Sequence, residues 1–187
     1  AAVSTYGWST LTSTTALTLQ ANTTHYFQVK ARNAYGQETA FLVSGSTITA
    51  AQVPSVPTGG DSTFPAVAVA SVTAQWAANG NPPGTQYLAQ RSADAVFSSD
   101  LSDSGWTTST TAAFVGLSTN TAYYYRVKAK NHVQTESGWQ VLGDTATLAV
   151  PPECAVSTYT AVYVTSASVQ WTANTNPGGT EYRAQAS

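Results

Sequence analysis

Two histidines, one cysteine and nine carboxylates are the side chains of this chain best suited to chemistry. His25 and His132 stand far apart, with neither the i, i+4 spacing of helical zinc sites nor a Cys/His cluster around them. Asp94, Asp100 and Asp103 are the one local gathering of carboxylates. A pair of such groups flanking a bond could hydrolyse a glycoside, and several oxygens could hold calcium. These three lie among Ser and Ala without the ligand spacing of a calcium loop, so a solvated loop is expected there. No Gly-x-Ser-x-Gly elbow, phosphate-cradling loop or dinucleotide fingerprint occurs. The expectation is therefore no catalytic residue, no cofactor-binding residue and no metal ligand. Cys154, alone, rules out an internal disulfide; it reads as a small residue near a module start, with an intermolecular disulfide as the alternative.

The elements that would carry these groups are strands. Charged residues make up 9% of the chain, against roughly a quarter in ordinary soluble proteins. With 20 Ser and 30 Thr the solvated surface is hydroxyl and amide, not ionic. Thr, Val and Tyr suit the half-buried face of a pleated sheet. Seven basic residues scattered through a chain of net charge −2 give no footprint for a phosphate backbone, which speaks against nucleic acid. The longest nearly apolar stretch, Phe64 to Val72, is far short of the ~20 residues a membrane span needs. With no signal-like start and no Met, the chain reads as a mature or excised portion of something longer.

Self-similarity organises the rest. Gly7-Trp8-Ser9-Thr10 returns as Gly105-Trp106-Thr107-Thr108, 98 positions on, and the same offset carries Asn22 to Asn120, Tyr26 to Tyr124, Val29-Lys30-Ala31 to Val127-Lys128-Ala129, and Phe41 to Trp139. A second echo, 95 positions apart, links Gln75-Trp76, Asn79, Asn81-Pro82, Gly84-Thr85 and Tyr87 to Gln170-Trp171, Asn174, Asn176-Pro177, Gly179-Thr180 and Tyr182. Val53-Pro54 and Val150-Pro151 mark joints, because proline stops a strand ladder. The division is residues 1-52, the C-terminal part of one module; 53-150, a complete module; and 151-187, the N-terminal part of another.

No 3.6-period stripe of helical length occurs, so the class is all-β. Val67 to Trp76, Tyr87 to Arg91, Trp106 to Thr111, Ala112 to Leu117 and Thr145 to Val150 read as strands, with Asn79 to Gly84 a loop. Tyr123, Tyr125, Val127 and Ala129 fall on one face of a further strand, and Tyr124, Arg126, Lys128 and Lys130 on the other. Trp76, Tyr87, Leu117, Tyr123, Tyr125 and Val127 are expected to be buried together. Seven short strands in one module suggest an immunoglobulin-like sandwich.

Trp76, Tyr87 and the run from Leu117 to Ala129 resemble the fibronectin type III family. The resemblance spans the whole chain and implies tandem β-sandwiches with a tyrosine corner at Tyr123, six residues past Leu117. In the first piece His25 stands where that tyrosine would be; an imidazole there could still donate to backbone. The low-charge, Ser/Thr-rich composition is similar to repeats of bacterial surface or secreted proteins. What this implies is a non-catalytic extracellular or cell-surface structural protein, a rod- or filament-forming array. The alternatives are an adhesin or carbohydrate-binding array and the spacer of a secreted hydrolase. The stripe Arg126, Lys128, Lys130, with Lys30 and Arg32, reads first as a water-facing strand and otherwise as a contact for a glycan or acidic protein ligand; Asn22-Thr23-Thr24 matches a glycosylation acceptor. Since the chain starts and stops inside modules, the end pieces, expected to supply four and three strands, are complementary. Head-to-tail self-association through the partial modules, or continuation of a longer chain, is the expected partnership.

Overall fold

The computed structural model describes residues 4–186 and contains only strands and loops there. Its strands are β1 (Thr24–Val29), β2 (Leu42–Ile48), β3 (Ala66–Val67), β4 (Ser71–Gln75), β5 (Gln86–Ser92), β6 (Ser102–Asp103), β7 (Thr111–Val115), β8 (Ala122–Lys130), β9 (Gln140–Ala146), β10 (Glu153–Val162) and β11 (Ala167–Thr172).

The middle of the chain is a sandwich of antiparallel sheets, three strands in the order β3-β4-β7 against four in the order β6-β5-β8-β9. Alternation places the core. In β8, Tyr123, Tyr125, Val127 and Ala129 are buried while their neighbours stay partly open. Across from them β4 buries Val72 and Ala74, and β7 buries Ala112 and Phe114. Trp76, Tyr87, Leu117, Tyr123, Tyr125 and Val127 lie in one core cluster, as the strand phase predicts. Phe64, Phe114 and Tyr125 stack in tilted pairs 5.0 and 5.5 Å apart, and Trp76 meets Tyr87 at 5.9 Å, geometries favoured by the ring quadrupoles.

The tyrosine corner is present: the Ser118 N–H donates to the Tyr123 hydroxyl at 3.0 Å. In the first piece the His25 Nε2–H donates to the carbonyl of Gln20, the counterpart of Ser118, at 3.2 Å. The imidazole thus holds the same corner through the other polar group of the same peptide position.

Three strand expectations change. Val67 to Trp76 is a hairpin, not one strand: β3 and β4 pair with each other, and the Ala68 N–H closes the turn on the Ser71 carbonyl at 2.8 Å. Trp106 to Thr110 makes only a bridge of Thr107 to Tyr87, while Thr111 opens β7, because Thr107 and Ser109 hydroxyls accept the N–H groups of Ser109 and Thr111 at 3.0 and 3.1 Å and compete with the ladder. The closing strand begins at Gln140 and ends at Ala146, before Thr147 to Val150.

Among the described residues the flanking pieces form fewer strands than the four and three expected: β1 pairs with β2, and β10 with β11. Both hairpins copy the middle module. Thr24↔Ile48 through Val29↔Leu42, with the shift after Phe27, repeat Ala122↔Ala146 through Val127↔Gln140 with the shift after Tyr125. Gly45 and Gly143 carry that bulge at φ 112° and 110°, where a Cβ is disfavoured. Ala161↔Ser168 and Val162↔Ala167 likewise repeat Ala66↔Thr73 and Val67↔Val72.

The Tyr125 hydroxyl is buried without a hydrogen-bond partner, and desolvation pushes its pKa up to about 12, against a lowering influence of Arg91. A folded pKa above the ordinary ~10 means that stability is full below pH 10 and is lost as pH rises from 10 toward 12. Phe27 occupies the equivalent place in the first piece. Tyr125→Phe is expected to raise stability by about 1 kcal/mol at neutral pH by deleting an unsatisfied buried hydroxyl, and to flatten the alkaline limb. A denaturation series from pH 7 to 11 reads both; a less stable variant contradicts it.

Candidate functional site

The three aspartates do not converge. Asp94 is enclosed by its own loop: its carboxylate accepts from the N–H groups of Val96, Ser98 and Ser99 at 3.0, 3.2 and 2.8 Å and from the hydroxyls of Ser92, Ser98 and Ser99. The Ser99 hydroxyl, above all, holds its pKa well below the carboxylate range, against some desolvation; backbone N–H groups add to this. Asp100 pairs with Arg91, and Asp103 accepts from the Gly105 N–H at 3.0 Å. The donors around Asp94 favour a fixed anion and leave it poorly placed as a proton donor or cation ligand. They hold a turn in which Phe97 sits at φ 58°, buried against Arg126. Because the folded pKa is depressed, the stabilisation is present above the ordinary ~4 and fades as pH falls below it. Asp94→Asn is expected to lower the melting temperature at pH 7, with the gap to the parent narrowing steadily as pH is lowered from about 4; a gap that stays constant as the pH is lowered would contradict the clamp.

The basic stripe does not simply face water. Arg126 lies between Phe97 and Trp139 at 4.2 and 4.3 Å from the ring centroids. Lys128 lies over Trp139 and Trp106 at 4.7 and 5.7 Å, and Lys130 over Trp106 at 4.4 Å. The first piece repeats this with Lys30 over Phe41 and Trp8 at 4.8 and 5.8 Å, and Arg32 over Trp8 at 4.4 Å. Lys30–Glu38 and Lys128–Glu136 are matching ion pairs. Each of these cations lies over at least one aromatic ring of its own segment. The signal in the sequence was the aromatic at both copies of two positions, Trp8/Trp106 and Phe41/Trp139, beside a repeated cation.

The joints hold the most ordered polar chemistry. Asn22 and Asn120 adopt left-handed φ of 45° and 43°, a region that Asn tolerates. Each side chain donates to a threonine across the boundary, Asn22 Nδ2 to Thr85 Oγ1 and Asn120 Nδ2 to Thr180 Oγ1, both at 2.8 Å. Each of those hydroxyls donates to the carbonyl three residues before it, of Pro82 or Pro177, at 2.8 Å. At the first joint the His132 N–H also donates to Asn22 Oδ1 at 2.9 Å, and Asn131 Nδ2 to the Thr49 carbonyl at 3.2 Å. His132 is thus at a loop tip, and that tip touches the preceding piece. Asn22 is 1% exposed with its amide nitrogen engaged, so Asn22-Thr23-Thr24 is no glycosylation acceptor in the folded chain.

A second repeated clasp lies beside the first. Asn81 accepts from the Gln52 N–H at 2.8 Å and donates to its carbonyl at 2.9 Å; Asn176 does the same to Val150 at 2.8 and 2.7 Å. Beyond it, β10, β11 and residues 180–184 border an open cavity of about 520 Å³ lined by Val169, Trp171, Tyr182, Ala184 and the exposed Cys154. Among the described residues no three His, Cys, Asp or Glu side chains gather to hold a metal, and no helix is long and apolar enough to cross a membrane.

Neither a protein-family model nor any curated protein sequence matches the chain. Among solved structures, the extracellular region of rat CD45, domains d3–d4, is similar at 12% identity and a TM-score of 0.46, covering 79% of this chain and 76% of that one. The fibronectin type-III domain of human fibronectin type III domain containing protein 3 is similar at 15% identity and a TM-score of 0.40, covering 54% of this chain and 88% of that domain. The description of the chain as an all-β protein built of immunoglobulin-like sandwich modules follows from its own sheets and corner.

Proposed function

We propose that this chain is a non-catalytic structural segment of an extracellular or cell-surface protein, an array of β-sandwich modules divided at residues 52/53 and 150/151 and arranged as a rod or filament. The Ser/Thr-rich, weakly charged surface supports a place among repeats of the bacterial surface or secreted type. One observation carries the reading: the same joint is built twice. Two Asn–Thr contacts of 2.8 Å and two Asn–backbone clasps recur at equivalent positions. A flexible linker between independent domains has no use for geometrically matched polar pairs, whereas an array with a fixed angle per module does.

The test is the joint itself. Small-angle scattering of the chain, against Asn22→Ala and Asn120→Ala, is expected to show a narrow distribution of inter-module distances that broadens in each variant while the middle module melts as before. An equally broad distribution in the parent chain would sink the rod. Turnover of glycosides, esters or peptides that disappears on changing one of Asp94, Asp100 or Asp103 would sink the non-catalytic reading.

A further inference from the structure

An edge strand offers unpaired N–H and C=O groups to any strand that approaches it. In the complete middle module the edges are β3, β6, β9 and β7, and all but the last are closed to such pairing. β3 and β6 are two residues each. β9 is interrupted by the bulge at Gly143 and carries Asp144 beside it. β7, Thr111–Val115, has no bulge, no Pro and no charge. Its backbone phase is set by β4. The Trp76 N–H donates to the Thr110 carbonyl at 3.0 Å, and that register turns the amides of Ala112 and Phe114 toward β4 and those of Thr111, Ala113 and Val115 away from it. The Thr111 N–H is met by the Ser109 hydroxyl. Among the described residues, the N–H and C=O groups of Ala113 and Val115 meet no partner.

We infer that this edge is a docking site for β7 of a second copy of the chain, the two strands lying antiparallel about Ala113. The strand is its own complement. Around a two-fold axis at Ala113, the two Ala113 residues exchange N–H···O bonds, and each Val115 N–H reaches the Thr111 carbonyl of the other copy. The side chains agree with that register. Thr111, Ala113 and Val115 are the exposed, outward set, so a β-branched Val meets a β-branched Thr on either side of a small central pair, a combination that cross-strand packing favours. Val115, 75% exposed in the single chain, is then covered. Charge selects the occupant. Ser71, Thr73 and Gln75 next to β7, and Ala66 beyond Thr73, continue an uncharged face, so two copies meet without like charges opposed, while a charged peptide finds no counterion. The product is one continuous sheet, β3-β4-β7 of one copy running into β7-β4-β3 of the other. Such a contact is isologous and closes at two copies, tying modules side by side. It does not depend on stiff joints.

Crosslinking of the full chain reads the register. In a Cys154→Ser background, which removes the exposed native thiol, Ala113→Cys is treated with a bis-thiol linker matched to the ~5.5 Å of a hydrogen-bonded pair. A dimer of twice the 19.5 kDa of one chain is expected. Val115→Cys alone is expected not to link, since its own counterpart lies about four residues away along the ladder, roughly 14 Å. Mixed with Thr111→Cys, it is expected to link. Val115→Pro, added to Ala113→Cys, deletes an outward N–H and no bond to β4; Val115→Lys is the milder change at the same exposed position. Both are expected to suppress the linked dimer while the middle module still melts cooperatively. No dimer from Ala113→Cys, self-linking of Val115→Cys to the same extent, or linking that survives both Val115 substitutions overturns the inference. The joint variants are compared in dilute solution, where their distance distributions broaden or not whatever happens at β7, so the two readings fail separately.

Discussion

Trp76→Ala is expected to destabilise the middle module by about 3–5 kcal/mol, a large share of the ~5–15 kcal/mol a domain possesses. Trp76 is among the largest fully buried side chains, packed against Tyr87 between the two sheets. Its removal leaves a cavity bounded by strands whose hydrogen bonds prevent collapse. The unpaired indole nitrogen offsets part of the loss, placing the value toward the lower end. Trp171 is the internal control: the same residue in the same motif, without the facing sheet. In dilute solution Trp171→Ala is expected to cost less than half as much. Chemical denaturation of both variants measures the difference, and equal losses would contradict the account of the core.

The second large effect is polar. Asn81→Ala is expected to cost about 1–3 kcal/mol, because one side chain satisfies three backbone groups: the N–H and carbonyl of Gln52 and the carbonyl of Ala78, the last at 2.8 Å. Alanine leaves both Gln52 groups without these partners and the Ala78 carbonyl with only the backbone N–H of residue 81, at 3.2 Å. Asn176→Ala removes the equivalent clasp on Val150 and Ala173, yet is expected to leave the middle module's transition where it is. A shift of that transition by Asn176→Ala, or none by Asn81→Ala, would show that the clasp does not act locally.

Much of this was legible in the residues. The period-2 run from Tyr123 to Ala129 gave the phase of β8, and the inward phase of the facing strands gave Trp76, Tyr87 and Leu117. The hairpin of β3 and β4 was hidden because Ala66 to Ser71 turns without Gly, Pro or Asn. The loop around Asp94 was read as solvated, since sequence cannot show six donors closing on one carboxylate. The aromatic cover of Arg126 and Lys128 was missed because Trp106 and Trp139 flank β8 from outside its own alternation. The two joints lay in segments recognised as turns; that their asparagines reach a neighbouring module depends on contacts far apart in sequence.

The order of strand pairings also bears on how a module is assembled in time. Hairpins β3–β4 and β8–β9 join strands adjacent in sequence. The β4–β7 and β5–β8 pairings join segments distant along the chain and carry the greater cost of loop closure. A nascent module therefore acquires its hairpins early and cheaply, and its rate is governed by the later meeting of β4 with β7 and β5 with β8. Until that meeting, each emerging hairpin exposes the apolar face that would accept a neighbour's strands. The weakly charged surface does little to keep such neighbours apart during synthesis.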